Sequence, residues 1–317
     1  MSPRIFCFGA VGVDLIAQPV ERLPAAGDSA RSPSIQPSIG GCAANTSTAL
    51  ARLGHSVHLC GAIGEDHLGH FLRNGLKEEG VDLQYLTSPP GEVTGATLVI
   101  NVEGEDRRFI SAMGANDAPW PPTIDCEALV EAEVISLHAF GLAKRPDVED
   151  ARRIFQAGRD AGATTLLDVI VIPGEDLLPD LIQLLPLVDV FFPNEDEAQR
   201  LTGLKDPAEA AAFLRDLGAQ MVVVTRGDRG LVWDSVDGSG SLDAMAVASI
   251  DATGCGDAFG AGYIDAHLAG CDPLEKLIRG SVLGAAAATA AGAIAGLPSR
   301  ATFDSLHSSW IPSSIVS

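Results

Sequence analysis

A run of small residues followed by a carboxylate, at residues 251–262, carries the clearest chemical information in this chain. It reads D-A-T-G-C-G-D-A-F-G-A-G, so three small residues at 254–256 come directly before Asp257. The apolar pattern beyond them predicts a helix over residues 257–269. The N-terminus of a helix presents unpaired N–H groups and a partial positive charge, which together bind anions. A phosphate site beside a carboxylate base suits phosphoryl transfer to an alcohol; an aspartate cap after a glycine-rich turn is the alternative.

A second glycine-rich segment, residues 38–45, has the residue types of a polyol site. It reads S-I-G-G-C-A-A-N, and Gly40 and Gly41 allow another group to approach the backbone closely. The Asn45 side chain offers both a donor and an acceptor to hydroxyl groups. Asp14, which we place at the end of the first apolar strand, can accept hydrogen bonds from hydroxyls. The alternatives are a plain turn for the glycines, a helix cap for Asn45 and a loop carboxylate for Asp14.

Two further polar segments follow apolar strands, where open α/β sheets bind their ligands. Residues 192–197 read F-P-N-E-D-E, and carboxylates such as Glu197 can hold Mg²⁺ directly or through water. The alternative is a set of acids that favours the first turn of a helix. Residues 224–227 read V-T-R-G, in which the Thr225 hydroxyl and Gly227 suit a nucleotide. The alternative there is a β-turn.

The elements that must position these residues alternate between short apolar runs and helical patterns, which predicts a doubly wound α/β fold with a mostly parallel sheet flanked by helices. The predicted strands cover residues 5–9, 57–62, 134–137, 165–168, 190–193 and 221–225. The predicted helices cover residues 43–53, 67–79, 148–161, 195–202, 208–217, 257–269 and 273–293. A further short strand is predicted at residues 247–250.

Two segments interrupt the alternation of strands and helices. Residues 15–39 are rich in Pro and Ser, and residues 94–111 alternate like a hairpin whose turn is E-G-E-D at residues 103–106. They predict a small antiparallel sheet, inserted as a lid that closes over a substrate. The alternative is an edge extension of the main sheet. Without an internal repeat or a long linker, residues 1–317 are predicted to form one domain with this inserted lid.

Composition limits the class of partner. The net charge of -21 argues against a nucleic-acid surface or an anionic membrane, although local groups can still bind ATP. The six cysteines have no C-x-x-C spacing, so neither a zinc site nor a disulfide framework is indicated. No G-x-x-x-x-G-K-[ST] motif is present, which excludes a P-loop protein. No signal peptide is recognisable and the Ala/Gly-rich run at residues 281–297 is short for a membrane span, so we expect a cytoplasmic protein.

Motifs spread along the chain, in order, resemble those of the ribokinase-like carbohydrate kinases, the PfkB family. S-I-G-G-C-A-A-N-T-S-T-A-L-A-R-L-G is similar to the N-terminal signature, and T-G-A-T-L-V-I-N-V-E-G-E-D-R-R to the lid strands. M-G-A-N at residues 113–116 resembles the return from the lid, and P-N-E-D-E the N-x-x-E motif. D-A-T-G-C-G-D-A-F-G-A-G resembles the C-terminal signature. The resemblance covers essentially the whole chain and implies a ribokinase-like fold.

The resemblance also implies a role for each residue that matches a family motif. It implies that Asp257 is the catalytic base and that Gly254, Cys255 and Gly256 form the anion hole. The residues that contact the sugar are Asp14, Gly40, Gly41 and Asn45. Asn194 and Glu197 organise Mg²⁺ and the phosphates, partly through water, and Thr225 and Gly227 line the nucleotide site.

The chain departs from the family pattern at two positions. Many relatives bind a monovalent cation such as K⁺ near the residues that match Asp251 and Thr253, and Gly296 stands where a serine ligand often lies. Cys255 replaces the alanine or glycine that is usual in the anion hole. The Cys255 amide can still donate a hydrogen bond, so activity is expected to survive.

The activity that follows is transfer of the ATP γ-phosphoryl group to a primary hydroxyl of a ribose-like or hexose-like sugar. A nucleoside kinase is the alternative, but the lid offers a nucleobase only Phe109 as an aromatic face. Arg107 and Arg108 are interpreted as exposed lid charges; the alternative is contact with an acidic or phosphorylated substrate. A non-catalytic sugar-binding regulator is disfavoured because Asp257 and the anion loop are retained, and a dehydrogenase is the third choice. The apolar face of the lid suits a homodimer.

Overall fold

The computed structural model describes residues 4–105, 107–119, 126–310, 312 and 315–316. The strands are β1 (Ile5–Gly9), β2 (Gly12–Val20), β3 (Ile35–Gly40), β4 (Val57–Ala62), β5 (Leu86–Thr87), β6 (Gly95–Val102), β7 (Arg108–Ala112), β8 (Val134–Phe140), β9 (Thr164–Val169), β10 (Val190–Phe191), β11 (Met221–Thr225), β12 (Leu231–Ser235), β13 (Gly238–Leu242) and β14 (Ile315–Val316). The helices are α1 (Cys42–Arg52), α2 (His67–Glu78), α3 (Val148–Ala161), α4 (Leu178–Leu184), α5 (Glu195–Thr202), α6 (Pro207–Asp216), α7 (Cys255–Leu268), α8 (Pro273–Ala287) and α9 (Arg300–Ser309).

The main sheet confirms the predicted doubly wound, mostly parallel architecture. Its order is β14-β13-β12-β11-β10-β9-β8-β1-β4-β5, parallel from β11 to β5 and antiparallel from β11 to β14. Strand β1 is buried on both faces, as a central parallel strand must be. Its alternate side chains enter two hydrophobic cores, Ile5 and Cys7 on one face and Phe6 and Phe8 on the other.

Several elements have the predicted bounds, and the differences have local causes. The helix predicted over residues 273–293 ends at Ala287, because the Thr289 hydroxyl donates to Ala286 O at 2.7 Å and Gly292 takes a φ of 93° that a helix cannot continue through. Residues 247–250 form no strand. The predictions missed helices α4 and α9 and strands β5 and β12–β14.

The second sheet is separate from the main one, so the alternative of an edge extension is wrong. Its order is β3-β2-β6-β7, and β6 and β7 form the predicted hairpin, with Asp106 of the predicted turn outside the described residues. The sheet is mixed rather than antiparallel, since β2 pairs in parallel with β6. Asp14 does not end the first strand: it lies within β2, paired with Ser38 and Thr97.

The described cysteines are unpaired. Cys7, Cys42, Cys60, Cys255 and Cys271 are free thiols, and the Cys126 side chain lies outside the described residues. Within the part of the chain that the structure describes, no helix combines the length and the apolar composition that crossing a membrane requires.

Candidate active site

The predicted anion-binding loop leads directly into the N-terminus of α7. Gly254 precedes the helix with a φ of 76°, and a Cβ there would lie 2.7 Å from Ala293 O, so only glycine fits. The helix begins at Cys255, two residues before the predicted start, which places Cys255, Gly256 and Asp257 in its first turn. The Cys255 N–H lies 3.3 Å from Ala252 O. Asp257 is 8% exposed.

Helix α1 brings the second glycine-rich segment to Asp257. Asn45 Nδ2 donates to Asp257 Oδ2 at 2.8 Å, and the Thr46 hydroxyl lies 3.3 Å from the Asp257 backbone oxygen. The other amide atom, Asn45 Oδ1, is buried and has no hydrogen-bond partner within the described part of the chain. An orphaned buried acceptor beside a carboxylate fits a ligand hydroxyl, because burial without a partner is costly.

Asp257 shares its surroundings with two groups that the sequence did not single out. One ligand atom each from Cys42, Asp168 and Asp257 lies within 4.8 Å of the others. Burial raises the pKa of Asp257 to about 8, and the Asp168 carboxyl adds to the rise, while hydrogen bonds from Asn45 and Cys42 oppose it. Burial likewise raises the pKa of Asp168 to about 7. Asp168 lies near the carboxyl end of β9, and that position alone could have marked it as a candidate.

The base of the second sheet places Asp14 against the glycine pair. A Cβ on Gly40 would lie 2.4 Å from Asp14 Cγ, so the glycine makes room for this carboxyl. Gly41 caps α1 with a φ of 88°, and a Cβ there would lie 2.5 Å from Ala10 O. Burial raises the pKa of Asp14 to about 7, and the nearby Asp251 carboxylate adds to the rise. Asp14, Gly40, Gly41 and Asn45 are thus all held around the start of α1.

A cavity of about 400 Å³ at the carboxyl edge of the main sheet joins the anion loop to the predicted nucleotide residues. Thr225, Gly227, Cys255 and Gly256 all line it. A Cβ added at Gly256 would meet nothing within 4 Å, so the space over this glycine is available to a ligand. The sequence predictions missed other lining residues: Met245 and Val247 on the connection before α7, Ser281, Gly284 and Ala285 on α8, and Ala288 directly after that helix. The small residues of α8 are spaced as one helical stripe, a signal that could have revealed them.

The N-x-x-E segment forms a reciprocal cap at the start of α5. Asn194 Oδ1 accepts from the Glu197 N–H at 2.9 Å, and Glu197 Oε2 accepts from the Asn194 N–H at 2.8 Å. A backbone bridge joins Asn194 to Thr225. Burial raises the pKa of Glu197 to about 8, and the Asp168 carboxyl adds to the rise. Arg200 offsets the charge of this buried carboxyl only in part, so Glu197 fits Mg²⁺, which prefers oxygen ligands.

Asp251 and Thr253 bind each other in the loop before α7. Asp251 Oδ1 accepts from Thr253 N at 2.8 Å and from Thr253 Oγ1 at 2.7 Å, and its Oδ2 accepts from Gly292 N at 2.8 Å. Arg107, directly before β7, brings its guanidinium to 3.6 Å from Asp251 Oδ1. The interpretation of Arg107 as an exposed lid charge is therefore wrong, whereas Arg108 is exposed and pairs with Glu105.

A larger cavity lies elsewhere, so size alone does not identify the site. It measures about 740 Å³ and opens at the amino ends of the parallel strands, beside Thr164, Val190 and Met221. Its lining, as far as the structure describes it, includes none of the residues predicted for the site. The 400 Å³ cavity at the opposite edge is the one that four of the predicted residues line, namely Thr225, Gly227, Cys255 and Gly256.

Comparisons with known proteins agree with this geometry. The family model for pfkB family carbohydrate kinases matches residues 2–300. The chain is similar to a ribokinase from Haemophilus influenzae, with 26% identity over 306 residues that cover 95% of this chain and 97% of that protein. An aminoimidazole riboside kinase from Salmonella typhimurium is 30% identical over 289 residues, which cover 85% of this chain and 88% of that one.

A solved structure supports the same relationship. The Arabidopsis thaliana ribokinase complexed with ribose and ATP superposes with a TM-score of 0.84 at 26% identity, and the match covers 97% of this chain and 99% of that one. The ribokinase-like fold predicted from the motifs is therefore confirmed.

Proposed function

Because the chain belongs to the pfkB family of carbohydrate kinases, and is thus a phosphotransferase with a hydroxyl acceptor, we propose that it phosphorylates a primary hydroxyl of a small, neutral, ribose-like or hexose-like sugar with ATP. The observation that carries this proposal is the contact of Asn45 with Asp257 at the N-terminus of α7. That contact joins a polyol-binding amide to a carboxylate base, beside a glycine with open space over it.

Asp257 is the general base of the proposed reaction. It accepts the proton of the acceptor hydroxyl as the hydroxyl oxygen attacks the γ-phosphorus in line with the leaving ADP. A base whose pKa lies near the working pH is well suited to this task, and burial raises that of Asp257 to about 8. Asn45 holds one carboxylate oxygen and leaves Oδ1 to accept a second sugar hydroxyl.

The first turn of α7 binds the transferred phosphoryl group. Gly254, Cys255 and Gly256 form the anion hole, in which backbone N–H groups and the helix dipole stabilise the negative charge that develops. The nucleotide lies in the 400 Å³ cavity, with Thr225 and Gly227 on one side and the small residues of α8 on the other. Glu197, oriented by Asn194, would hold Mg²⁺, in part through water. When bound, Mg²⁺ offsets the negative charge of the phosphate oxygens.

Charge supports a neutral acceptor. Asp14, Asp168, Asp257 and Glu197 are carboxyls whose pKa values burial raises to between about 7 and about 8. The negative charge of a sugar acid or a sugar phosphate would raise the free-energy cost of ionising these four carboxyls further. Asp14 and Asn45 contact the hydroxyls, and Gly40 and Gly41 allow the ring to approach the backbone.

The four-stranded sheet of β3, β2, β6 and β7 is the lid of the one domain, residues 1–317. Its inner face carries Asp14, and closure excludes the water that would otherwise hydrolyse ATP.

The outer face of the lid is apolar: Leu98 pairs with Leu15 and Ile110, and Leu98 and Ile110 are 44% and 60% exposed. A second copy of this chain covers that face. Sedimentation should give a dimer that Leu98→Glu converts to a monomer; a monomeric wild type would contradict the dimer.

The experiment that tests the function measures ADP release from Mg-ATP with a panel of neutral sugars, sugar acids, sugar phosphates and nucleosides. We expect turnover with a neutral sugar, and a loss of about 10²–10⁴-fold in Asp257→Asn. The matched control is Asp196→Asn, an exposed acid in the first turn of α5, which should keep wild-type turnover. Wild-type turnover in Asp257→Asn would overturn the base, turnover with nucleosides alone would favour the nucleoside kinase, and no turnover with any acceptor would overturn the proposal.

A further inference from the structure

The loop that the family resemblance assigns to a monovalent cation is closed by its own hydrogen bonds. Both carboxylate oxygens of Asp251 accept from donors of the protein, Oδ1 from Thr253 and Oδ2 from Gly292. The Ala288 oxygen accepts from the N–H groups of Ile250 at 2.8 Å and Asp251 at 3.2 Å. The two carboxylate oxygens of Asp251 and the backbone oxygen of Ala288 are therefore already engaged by N–H and O–H groups.

Gly296, where relatives often have a serine ligand, cannot carry a side chain in this structure. A Cβ at this position would lie 2.4 Å from Ala287 O and 2.7 Å from Ala286 O, closer than such contacts occur. The Ala286 oxygen also accepts from the Thr289 hydroxyl. The residues present thus do not fit a monovalent cation, because the serine ligand is missing and there is no space at Gly296 for a side chain in its place.

Asp251 nevertheless has a cationic neighbour, the guanidinium of Arg107 in the lid. The Arg107 guanidinium lies 3.6 Å from Asp251 Oδ1, and the two side chains are 24% and 7% exposed. It also lies 5.5 Å from the centre of the Phe109 ring, a cation–π contact that fixes its direction. Burial raises the pKa of the Cys255 thiol to about 11, and Arg107 opposes that rise, so its charge reaches the anion hole.

We propose that Arg107 takes the place of the monovalent cation at Asp251, so that phosphoryl transfer by this chain does not depend on K⁺ and requires the lid to bring the guanidinium over the anion loop. The inference rests on the proposed kinase function. In this proposal the charge of an arginine replaces the charge of an ion. An ion would be bound by the loop itself, whereas Arg107 belongs to the lid hairpin of β6 and β7. Charge at the anion hole and exclusion of water then arrive together when the lid closes.

The test compares salts and variants. Turnover of the wild type should be equal in KCl and in tetramethylammonium chloride of the same ionic strength. Arg107→Met should lose at least about tenfold in kcat in both salts, and Arg107→Lys should recover part of the loss because it keeps the charge. Arg108→Met, which removes the neighbouring exposed arginine, should match the wild type. A wild type that needs K⁺, or an Arg107→Met that matches Arg108→Met, would overturn the proposal.

A binding measurement separates this inference from the kinase function. The melting temperature of the ligand-free wild type should be the same in KCl and in tetramethylammonium chloride, because a cation that binds only the folded state would raise it. A K⁺-specific rise would overturn the proposal even if no acceptor were ever phosphorylated. Absence of turnover with every acceptor in both salts would instead overturn the proposed function, and the melting comparison would still decide whether the loop binds K⁺.

Discussion

Asn45 Nδ2 lies 2.8 Å from Asp257 Oδ2, which joins the N-termini of α1 and α7 across 212 positions of the chain. Each helix begins at a glycine with positive φ, Gly41 at 88° and Gly254 at 76°. Because the positive ends of two helix dipoles face the same space, negative charge is favoured there. The contact therefore orients a proton acceptor at a point where phosphate charge can also be stabilised.

The first prediction concerns that contact. Asn45→Ala removes a hydrogen bond that lowers the pKa of Asp257 and also removes the orphaned acceptor Oδ1. We expect KM for the sugar to rise by about tenfold or more, since a lost hydrogen bond to a charged group costs about 1.5–3 kcal/mol. KM for ATP should change little. Steady-state kinetics with each substrate varied in turn provide the measurement, with the exposed Asn74→Ala as control. An equal rise in both KM values would contradict the assignment.

The second prediction concerns pH. Asp257 must be ionised to accept a proton, so kcat/KM should rise with pH until the pKa of about 8 is passed in the free enzyme. Asp168→Asn removes the neighbouring carboxyl that raises this pKa, so the acidic limb should move to lower pH. Below the wild-type limb the variant should then be the faster enzyme.

The measurement for Asp168→Asn is a profile of kcat/KM against pH with both substrates below KM. The amide oxygen that this substitution introduces can still accept the hydrogen bond that Ala139 N donates to Asp168 at 3.0 Å, so the fold should be kept. Because the two carboxyls interact, the wild-type limb belongs to the pair. An unchanged limb would show that Asp168 does not influence the reacting group.

The third prediction separates the anion loop from the fold. Gly256→Ala places a methyl group where the structure has nothing within 4 Å, and alanine is favoured over glycine in a helix by about 0.5–1 kcal/mol. The variant should melt at the wild-type temperature or slightly above it. The methyl group should nevertheless obstruct the phosphate, so KM for ATP should rise or kcat should fall by at least about tenfold. A stable variant with wild-type kinetics would remove Gly256 from the anion hole.

Helices whose ends are fixed locally were predictable from the sequence. Helix α3 begins at a reciprocal cap between Asp147 and Asp150 and ends at Gly162, which has a φ of 78°. Helix α5 has the same design, from Asn194 to Gly203. Such signals lie within a few residues of the helix itself, so no tertiary contact is needed to recognise them.

The remaining features depend on contacts between distant segments. Helix α8 ends at Ala287, short of the predicted end, and Gly292 beyond it donates to Asp251, 41 positions away. Strand β13 is glycine-rich and half-exposed, so it lacks the apolar alternation that predicts strands. Cys42 was missed for the same reason, since only the folded structure brings it to Asp257, whereas Asp168 stands at the end of a predicted strand and could have been found from that position. Arg107 was misinterpreted because its partner lies 144 positions away, in the loop before α7.

The last prediction concerns the stability of α7 away from the site. Asp265 is 3% exposed and accepts from His55 at 2.7 Å and Arg279 at 2.6 Å, and it also pairs with Arg300. Asp265→Asn should lower the free energy of unfolding by about 3 kcal/mol, because Arg279 and Arg300 then keep only the half-exposed Asp304 as a counter-charge. These hydrogen bonds hold the pKa of Asp265 well below its ordinary value of 3.8. The stabilisation is therefore complete above pH 3.8 and declines only as the pH falls further towards the lowered pKa.

Denaturant unfolding near neutral pH and near pH 3 measures this contribution. The matched control is Asp304→Asn, whose carboxyl is half-exposed and lies 3.7 Å from Arg279 and 3.5 Å from Arg300. It meets the same arginines in solvent, so its loss should cost no more than about 1 kcal/mol. The difference between the two variants should narrow at the lower pH, because the Asp265 carboxyl gains a proton in the unfolded chain there while it stays ionised in the folded protein. Equal destabilisation by both substitutions would mean that burial of Asp265 adds nothing to the ion pairs that bind α7 to α8 and α9.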